Sequence, residues 1–313
     1  MSDASRHALY QIEEVTYGQT PATPSLDKVR HTGVTLGLSK DISLSEELRE
    51  DRQIQCSKHG VKTIAGDINF ELSYGSYDDQ LEAVTLGTWA VDGGGAGIDR
   101  LTAGVERRSF SIMRHFSDQQ TADKPYHIFT GMEYNTFNLT VAPQGILSGS
   151  FGLIGQGFSV NETAPAGAIL GAATENCPFN GFTGTIKEGG VVIAIITELS
   201  LTLENGLEPR IVVGSDETIL PQIGRSNLTG SATMFFENAV QLEKFVSETE
   251  SSMEFQLNDG VNKYDILIPR ITYTGGANPD VSGEGSITLA VPFQALVDDA
   301  VVGSNIQIDR SAV

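Results

Sequence analysis

The chain has 313 residues, enough for one large domain or two of about 100–150 residues, with a core that needs no metal or disulfide staple. Its 40 acids against 20 bases leave a formal charge of −20. That is the wrong sign for gripping nucleic acid by neutralising phosphates, and it suits either solubility or the repulsion of a polyanion.

In chain order, Met1–Leu26 reads as an arm. Ala8, Leu9, Ile12 and Val15 make a short helical stripe, and Gly18, Pro21 and Pro24 end it. Val34–Leu38 is strand-like, and Ser39–Val61 is a long acidic segment. Thr63–Leu72 alternates so that Ile64, Ile68, Phe70 and Leu72 share one face of a strand. Ser76–Leu86 reads as a helix capped by Ser76, with Asp79 in its first turn and Tyr77, Leu81, Val84 and Thr85 inward. Asp92–Gly97 is a glycine-rich loop, and Ser109–Ile112, Tyr126–Met132, Asn135–Val141 and Ile146–Gly155 are strands.

The second half follows the same order. Leu199–Leu203 is a strand, Glu204–Asn227 a long mixed loop and Leu228–Phe236 a strand. Asn238–Ser247 is a helix with Asn238 as cap, Gln241 closing a capping box, and Leu242, Phe245 and Val246 inward. Met253–Leu257, Tyr264–Ile268, Ile271–Thr274 and Gly285–Phe293 are strands. Gln80-Leu81-Glu82 and Gln241-Leu242-Glu243 recur in the two helices, and the strands before them each carry a glycine, Gly66 and Gly230. The loops preceding those glycines are nearly equal in length. The fold class expected is mainly β, with two tandem β-sandwich or barrel cores, each with a flanking helix, by internal duplication. Chance similarity is the alternative. The organisation expected is an N-terminal arm at 1–30, a first core at 31–160, a linker or excursion at 161–195, and a second core with a C-terminal strand at 196–313.

Catalytic signatures are missing. Gly93-Gly94-Gly95-Ala96-Gly97 lacks the Lys-Ser/Thr of a phosphate loop, and Gly149-Ser150-Phe151-Gly152 is no nucleophile elbow. His7, His31, His59, His115 and His127 contain no helical zinc pair, and Cys56 near His59 has no second pair. Cys56 and Cys177, far apart, point to a reduced, cytoplasmic setting. No secretory leader is expected at Met1–Tyr10, and no stretch reaches the roughly 20 apolar residues of a membrane span. Asp78/Asp79 and Asp298/Asp299 are ordinary solvated acid pairs. No catalytic, cofactor or metal residue is expected.

Three stretches stand out together. The first, within Val34–Trp89, holds Ser45-Glu46-Glu47-Leu48-Arg49-Glu50-Asp51-Arg52-Gln53, then Phe70-Glu71-Leu72-Ser73-Tyr74-Gly75-Ser76-Tyr77-Asp78-Asp79, then Gly87-Thr88-Trp89. The second is Phe182-Thr183-Gly184-Thr185-Ile186-Lys187-Glu188-Gly189-Gly190, continuing to Leu203-Glu204-Asn205-Gly206-Leu207-Glu208-Pro209-Arg210. The third is Ile223-Gly224-Arg225-Ser226-Asn227, with Tyr273-Thr274-Gly275-Gly276 and Pro292-Phe293-Gln294-Ala295-Leu296. In this order they resemble the tail tube protein family of long-tailed, non-contractile bacteriophages and prophages.

The resemblance implies six tube cores closing a ring, rings stacking into a hollow tube, and long loops reaching the next ring. Here those loops are Ser39–Val61 and Glu204–Arg225, with Glu46, Glu47, Arg49, Glu50, Asp51, Arg52, Glu208, Arg210 and Arg225 as inter-ring contacts. With duplicated cores, three chains make a pseudo-sixfold ring. The implied partners are further copies of the chain, a tape-measure protein in the lumen, tail terminator and distal tail proteins, and double-stranded DNA passing without specific binding. The implied place is the virion tail, assembled in the host bacterial cytoplasm. A β-sandwich adhesion module and the tube of a contractile tail stay open as alternatives. The former needs aromatic platforms, and Trp89 is the single tryptophan.

Overall fold

A computed structural model describes residues 3–143, 145–181, 184–275, 279, 285–300 and 302–313. Met1 and Ser2 of the expected arm, and Phe182, Thr183 and Gly276 of the family-like stretches, lie outside the described residues. Strands β1 (His7–Glu13), β2 (Ser25–Val29), β3 (Gly33–Val34), β4 (Gly37–Leu44) and β5 (Ser57–Glu71) precede helix α1 (Asp78–Thr85). The hairpin β6 (Ala90–Gly95) and β7 (Ile98–Thr102) follows, then β8 (Phe110–Phe116), β9 (Tyr126–Val141), β10 (Ser148–Gly155), β11 (Gly157–Asn161) and β12 (Ile169–Leu170). The second half holds β13 (Thr185–Glu188), β14 (Val191–Val192), β15 (Ile196–Glu204), β16 (Glu208–Arg210), β17 (Ile219–Gln222) and β18 (Asn227–Phe235). Helix α2 (Val240–Val246), β19 (Ser251–Asn258), β20 (Asn262–Tyr273), β21 (Thr288–Leu296) and β22 (Gln307–Ala312) complete it. The protein is mainly β.

The strands pair in the same order twice. In the first half β4–β5–β10–β9 form a sheet, and the N-terminal part of β9 turns away to lie between β8 and β11. In the second half β15–β18–β21–β20 do the same, and the N-terminal part of β20 lies between β19 and β22. Each half adds one more strand at the same place, β1 beside β8 and β13 beside β19. Both repeats carry the same irregularity. Phe110 and Ile112 face Met132 and Phe129, as Ser251 and Met253 face Ile271 and Ile268, so β9 and β20 are each bulged by one residue. In β9 the bulge is made by Gly131 at φ +64. Helices α1 and α2 occupy equivalent positions, after β5 and after β18.

The halves join edge to edge. β9 and β15 pair antiparallel from Leu199↔Val141 to Glu204↔Thr136, giving one continuous sheet running β4–β5–β10–β9–β15–β18–β21–β20. Strand alternation fills the core beneath it: Ile64, Ile68 and Phe70 on β5, Phe137 and Leu139 on β9, and Leu199, Leu201 and Leu203 on β15 are all buried in one cluster. Gly66, at φ +150, lets β5 pass close to the backbone at Leu36, which a Cβ would meet at 2.7 Å.

The structure corrects several expectations. The stripe at Ala8–Val15 is the strand β1, not a helix, because both of its faces are covered. Leu9 belongs to the main core and Tyr10 to a second cluster with Leu26, Met113 and Ile128. Val15 lies beyond the strand and is 93% exposed. Ser76 does not cap α1. The cap position is Tyr77, without a side-chain cap bond, and the Ser76 hydroxyl bonds Ser73 and Thr174 instead. Within α1, Leu81, Val84 and Thr85 are buried and Tyr77 beside them, as expected.

Of the loop expected at Asp92–Gly97, the residues to Gly95 belong to strand β6 and only Ala96 and Gly97 form the turn of the β6–β7 hairpin, where Gly97 N–H donates to the Asp92 carboxylate at 2.6 Å. Tyr126–Met132 with Asn135–Val141, and Tyr264–Ile268 with Ile271–Tyr273, are single long strands bent by the bulges. Helix α2 has no fully buried residue; Leu242 and Phe245 are half-buried and Val246 is 72% exposed, so the face expected inward is only partly covered. Asn238 does accept the Val240 N–H at 3.1 Å.

Candidate assembly surfaces

Three surfaces are set up by this topology. The first is the pair of sheet ends. Among the described residues β3 and β4 pair only with β5, which leaves their other edge without a partner strand. At the opposite end, among the described residues, Thr272 and Tyr273 of β20 pair only with β21. Exposed edges of this kind template pairing with another chain.

The second surface is the solvent face of the continuous sheet. Registry lines up Asn69, Ser150, Asn138, Thr202 and Thr229 across five strands. The flanking rows are Glu71, Ser148, Thr140, Ser200 and Ser231 on one side, and Asp67, Gly152, Thr136, Glu204 and Asn227 on the other. Thr202 donates to the Asn138 side-chain oxygen at 2.8 Å, and the Asn138 amide donates to Ser150 at 3.2 Å. Small hydroxyls and amides thus cover this face. Its charges in these rows are all acidic, Asp67, Glu71 and Glu204, with Glu198 beside them on β15.

The third surface is formed by the two excursions that carry the residues singled out from sequence. Glu46, Glu47, Arg49, Glu50, Asp51 and Arg52 sit at the tip of the β4–β5 hairpin, all exposed. Arg49 forks onto Asp51 within the tip, at 2.9 and 2.8 Å, and this pair holds the Asp51 carboxyl below its ordinary range. Glu208 and Arg210 are exposed on β16, and Arg225 follows β17. The second excursion folds back on the first half rather than standing free. Lys62 on β5 donates its backbone N–H to Asp216 and reaches the Asp216 and Glu217 carboxylates at 2.9 and 3.1 Å. Six of the nine charged residues therefore occupy the tip of the first hairpin, while Glu208, Arg210 and Arg225 lie along the stem of the second excursion, whose own tip rests on the first hairpin through Asp216 and Glu217.

Aliphatic residues at these tips escaped the sequence reading. Leu48 is 101% exposed, Ile54 63% and Val213 107%, with Ile211, Val212, Ile219 and Leu220 also exposed. Their signal was present as aliphatics inside otherwise polar loops, where no core is within reach.

A brace locks the halves together beside these surfaces. β22 pairs with β7, and Arg100 on β7 grips Asp309 on β22 through two bonds of 2.7 Å. Arg310 ion-pairs with Asp78 and Asp99 and lies over the Trp89 ring, 4.4 Å from its centroid. Trp89 is thus packed against the core rather than displayed. Among the described residues no group of three or more His, Cys, Asp or Glu could hold a metal, and no helix is long and apolar enough to cross a membrane.

No curated protein gives a significant match to the chain. A family model described as phage tail tube protein matches residues 4–295.

Proposed function

Because the chain belongs to the phage tail tube protein family, and so is a structural component of a viral tail, we propose that it builds the hollow tube of a long, non-contractile tail as stacked rings of three chains. The observation that carries this reading is the repeated pairing order and the way its two copies join. The β9–β15 ladder is a worked case of one core handing its edge to the next. Repeating that ladder between the β20 end of one chain and the β3–β4 edge of the following chain leaves no free end once three chains close. The two cores expected over 31–160 and 196–313 then give six around the ring. Ring-on-ring contact is heterologous and does not close, so it extends into a tube.

In this ring the solvent face of the sheet lines the lumen. Double-stranded DNA would slide along hydroxyls and amides, with Asp67, Glu71, Glu198 and Glu204 repelling phosphates within the roughly 8–10 Å over which charge acts at physiological salt. The same wall would contact a tape-measure protein before DNA enters. The excursions bearing Glu46, Glu47, Arg49, Glu50, Asp51, Arg52, Glu208, Arg210 and Arg225 meet the adjacent ring. Exposed ion pairs contribute only about 0–1 kcal/mol each, so the exposed aliphatics of the tips supply most of the stacking energy. Terminator and distal tail proteins cap the two ends of the tube, which assembles in the host cytoplasm and resides in the virion.

Negative-stain electron microscopy of the concentrated protein tests this. Hollow rings or tubes are expected, and a compact monomer at every concentration, even with pre-formed tails as seeds, contradicts it.

A further inference from the structure

Two cavities occupy equivalent places in the repeat but are closed differently. Aligning the halves on Gly66 and Gly230 makes the stretch His31–Gly33 equivalent to Ile196–Glu198. The β8 and β19 registers then match Arg114 to Phe255, and the β1 and β13 registers match His7 to Gly184. In the second half a cavity of about 300 Å³ is lined by Gly184, Ile196–Glu198 and Phe255, and also by Val141, Ala142 and Pro143 from the end of β9 in the first half. The matching cavity of the first half, about 310 Å³, is lined by Asp3, His7, His31–Val34, Arg114 and Phe116. It borders the edge at β3, and among the described residues nothing takes the place of the wall that the end of β9 supplies to its counterpart.

The chemistry of this cavity also differs. Where the inner joint has Phe255, Ile196 and Gly184, the outer one has Arg114, His31 and His7. Arg114 donates from Nε to His7 at 3.1 Å and from Nη1 to the Leu36 carbonyl at 2.8 Å. No carboxylate stands within ion-pair distance of Arg114 among the described residues, although the chain carries twice as many acids as bases. A part-buried guanidinium without a counter-ion recruits one.

We propose that this cavity is a carboxylate-binding site at the joint between two copies of the chain, with Arg114 as its anchor and a carboxylate of the second copy as its ligand. The inference rests on the ring reading above. It gives each joint its own chemistry. Within a chain the cavity closes on apolar residues, and between chains it closes on an acid. An apolar segment then leaves Arg114 unpaired, and an acidic one is rejected by Phe255, so the two kinds of joint do not exchange.

The test is the concentration at which the full-length chain forms rings, followed by sedimentation and microscopy. Arg114→Gln should raise it at least ~10-fold, the equivalent of about 1.4 kcal/mol, and Arg114→Lys should restore most of the loss. Acetate in place of chloride at equal ionic strength should raise it for the wild type and leave Arg114→Gln unmoved. The acetate arm needs no variant, so it decides the matter even if Arg114→Gln melts early. Wild-type assembly indifferent to acetate, or normal assembly of a well-folded Arg114→Gln, overturns the site and leaves the tube intact. A wild type that forms no rings overturns both.

Discussion

His7 shows how much one side chain owes to its surroundings. Burial, the Arg114 charge and the neighbouring His31, His115 and His127 hold its pKa at about 4, from an ordinary 6.5. The unfolded chain therefore binds a proton that the folded chain refuses between those values. Stability is full above about pH 6.5 and falls as pH drops towards 4, then levels. Urea unfolding of the unassembled protein should show its midpoint falling over that window, and His7→Gln should flatten the fall. A midpoint independent of pH from 7 to 4 contradicts the assignment. In sequence the five histidines look scattered. Only the pairing of β1 with β2 and with β8, and of β8 with β9, gathers four of them, and no local pattern encodes a contact between residues so far apart. Glycines were easier to read. Gly66 and Gly230 mark matching positions of the repeat, and the structure adds a reason at Gly66, where the Leu36 backbone passes so close that a Cβ would meet it at 2.7 Å.

At the scale of elements, strands with one buried face were legible from alternation, as in β5 and β20. Segments covered on both faces were not. β1 carries Ala8, Leu9 and Ile12 at spacings that mimic a helical stripe, until tertiary contacts on two sides decide for a strand. Helix α2 failed in the opposite way, since its apolar residues Val240 and Val246 lie exposed in the unassembled chain. The two excursions were legible as loops by their charge, while their exposed aliphatics were overlooked because loops are read for polarity. Those aliphatics give the element-scale prediction. Leu48→Ser, Ile54→Ser and Val213→Ser together should change the stability of the unassembled chain by no more than about ±0.5 kcal/mol each, as befits surface positions. They should still shorten or abolish tubes seen by microscopy while rings persist. Tubes of normal length from the triple variant would remove these tips from the ring-to-ring contact.

The whole molecule is a tandem pair in which order, helix placement and even a one-residue bulge recur. Residue identity had faded to short echoes, Gln80-Leu81-Glu82 against Gln241-Leu242-Glu243, yet the spacing of elements kept the repeat readable. Spacing survives because sheet registry tolerates many side chains but few insertions. The brace between halves has no counterpart of its own: the β6–β7 hairpin lies between α1 and β8, whereas α2 leads almost directly into β19. In the ring proposed above, braced joints within chains would alternate with unbraced joints between them. The most direct measurement of this account is the mass of a single ring by native mass spectrometry after gentle dissociation of tubes. Three chains per ring is the predicted result, and six chains per ring would contradict it.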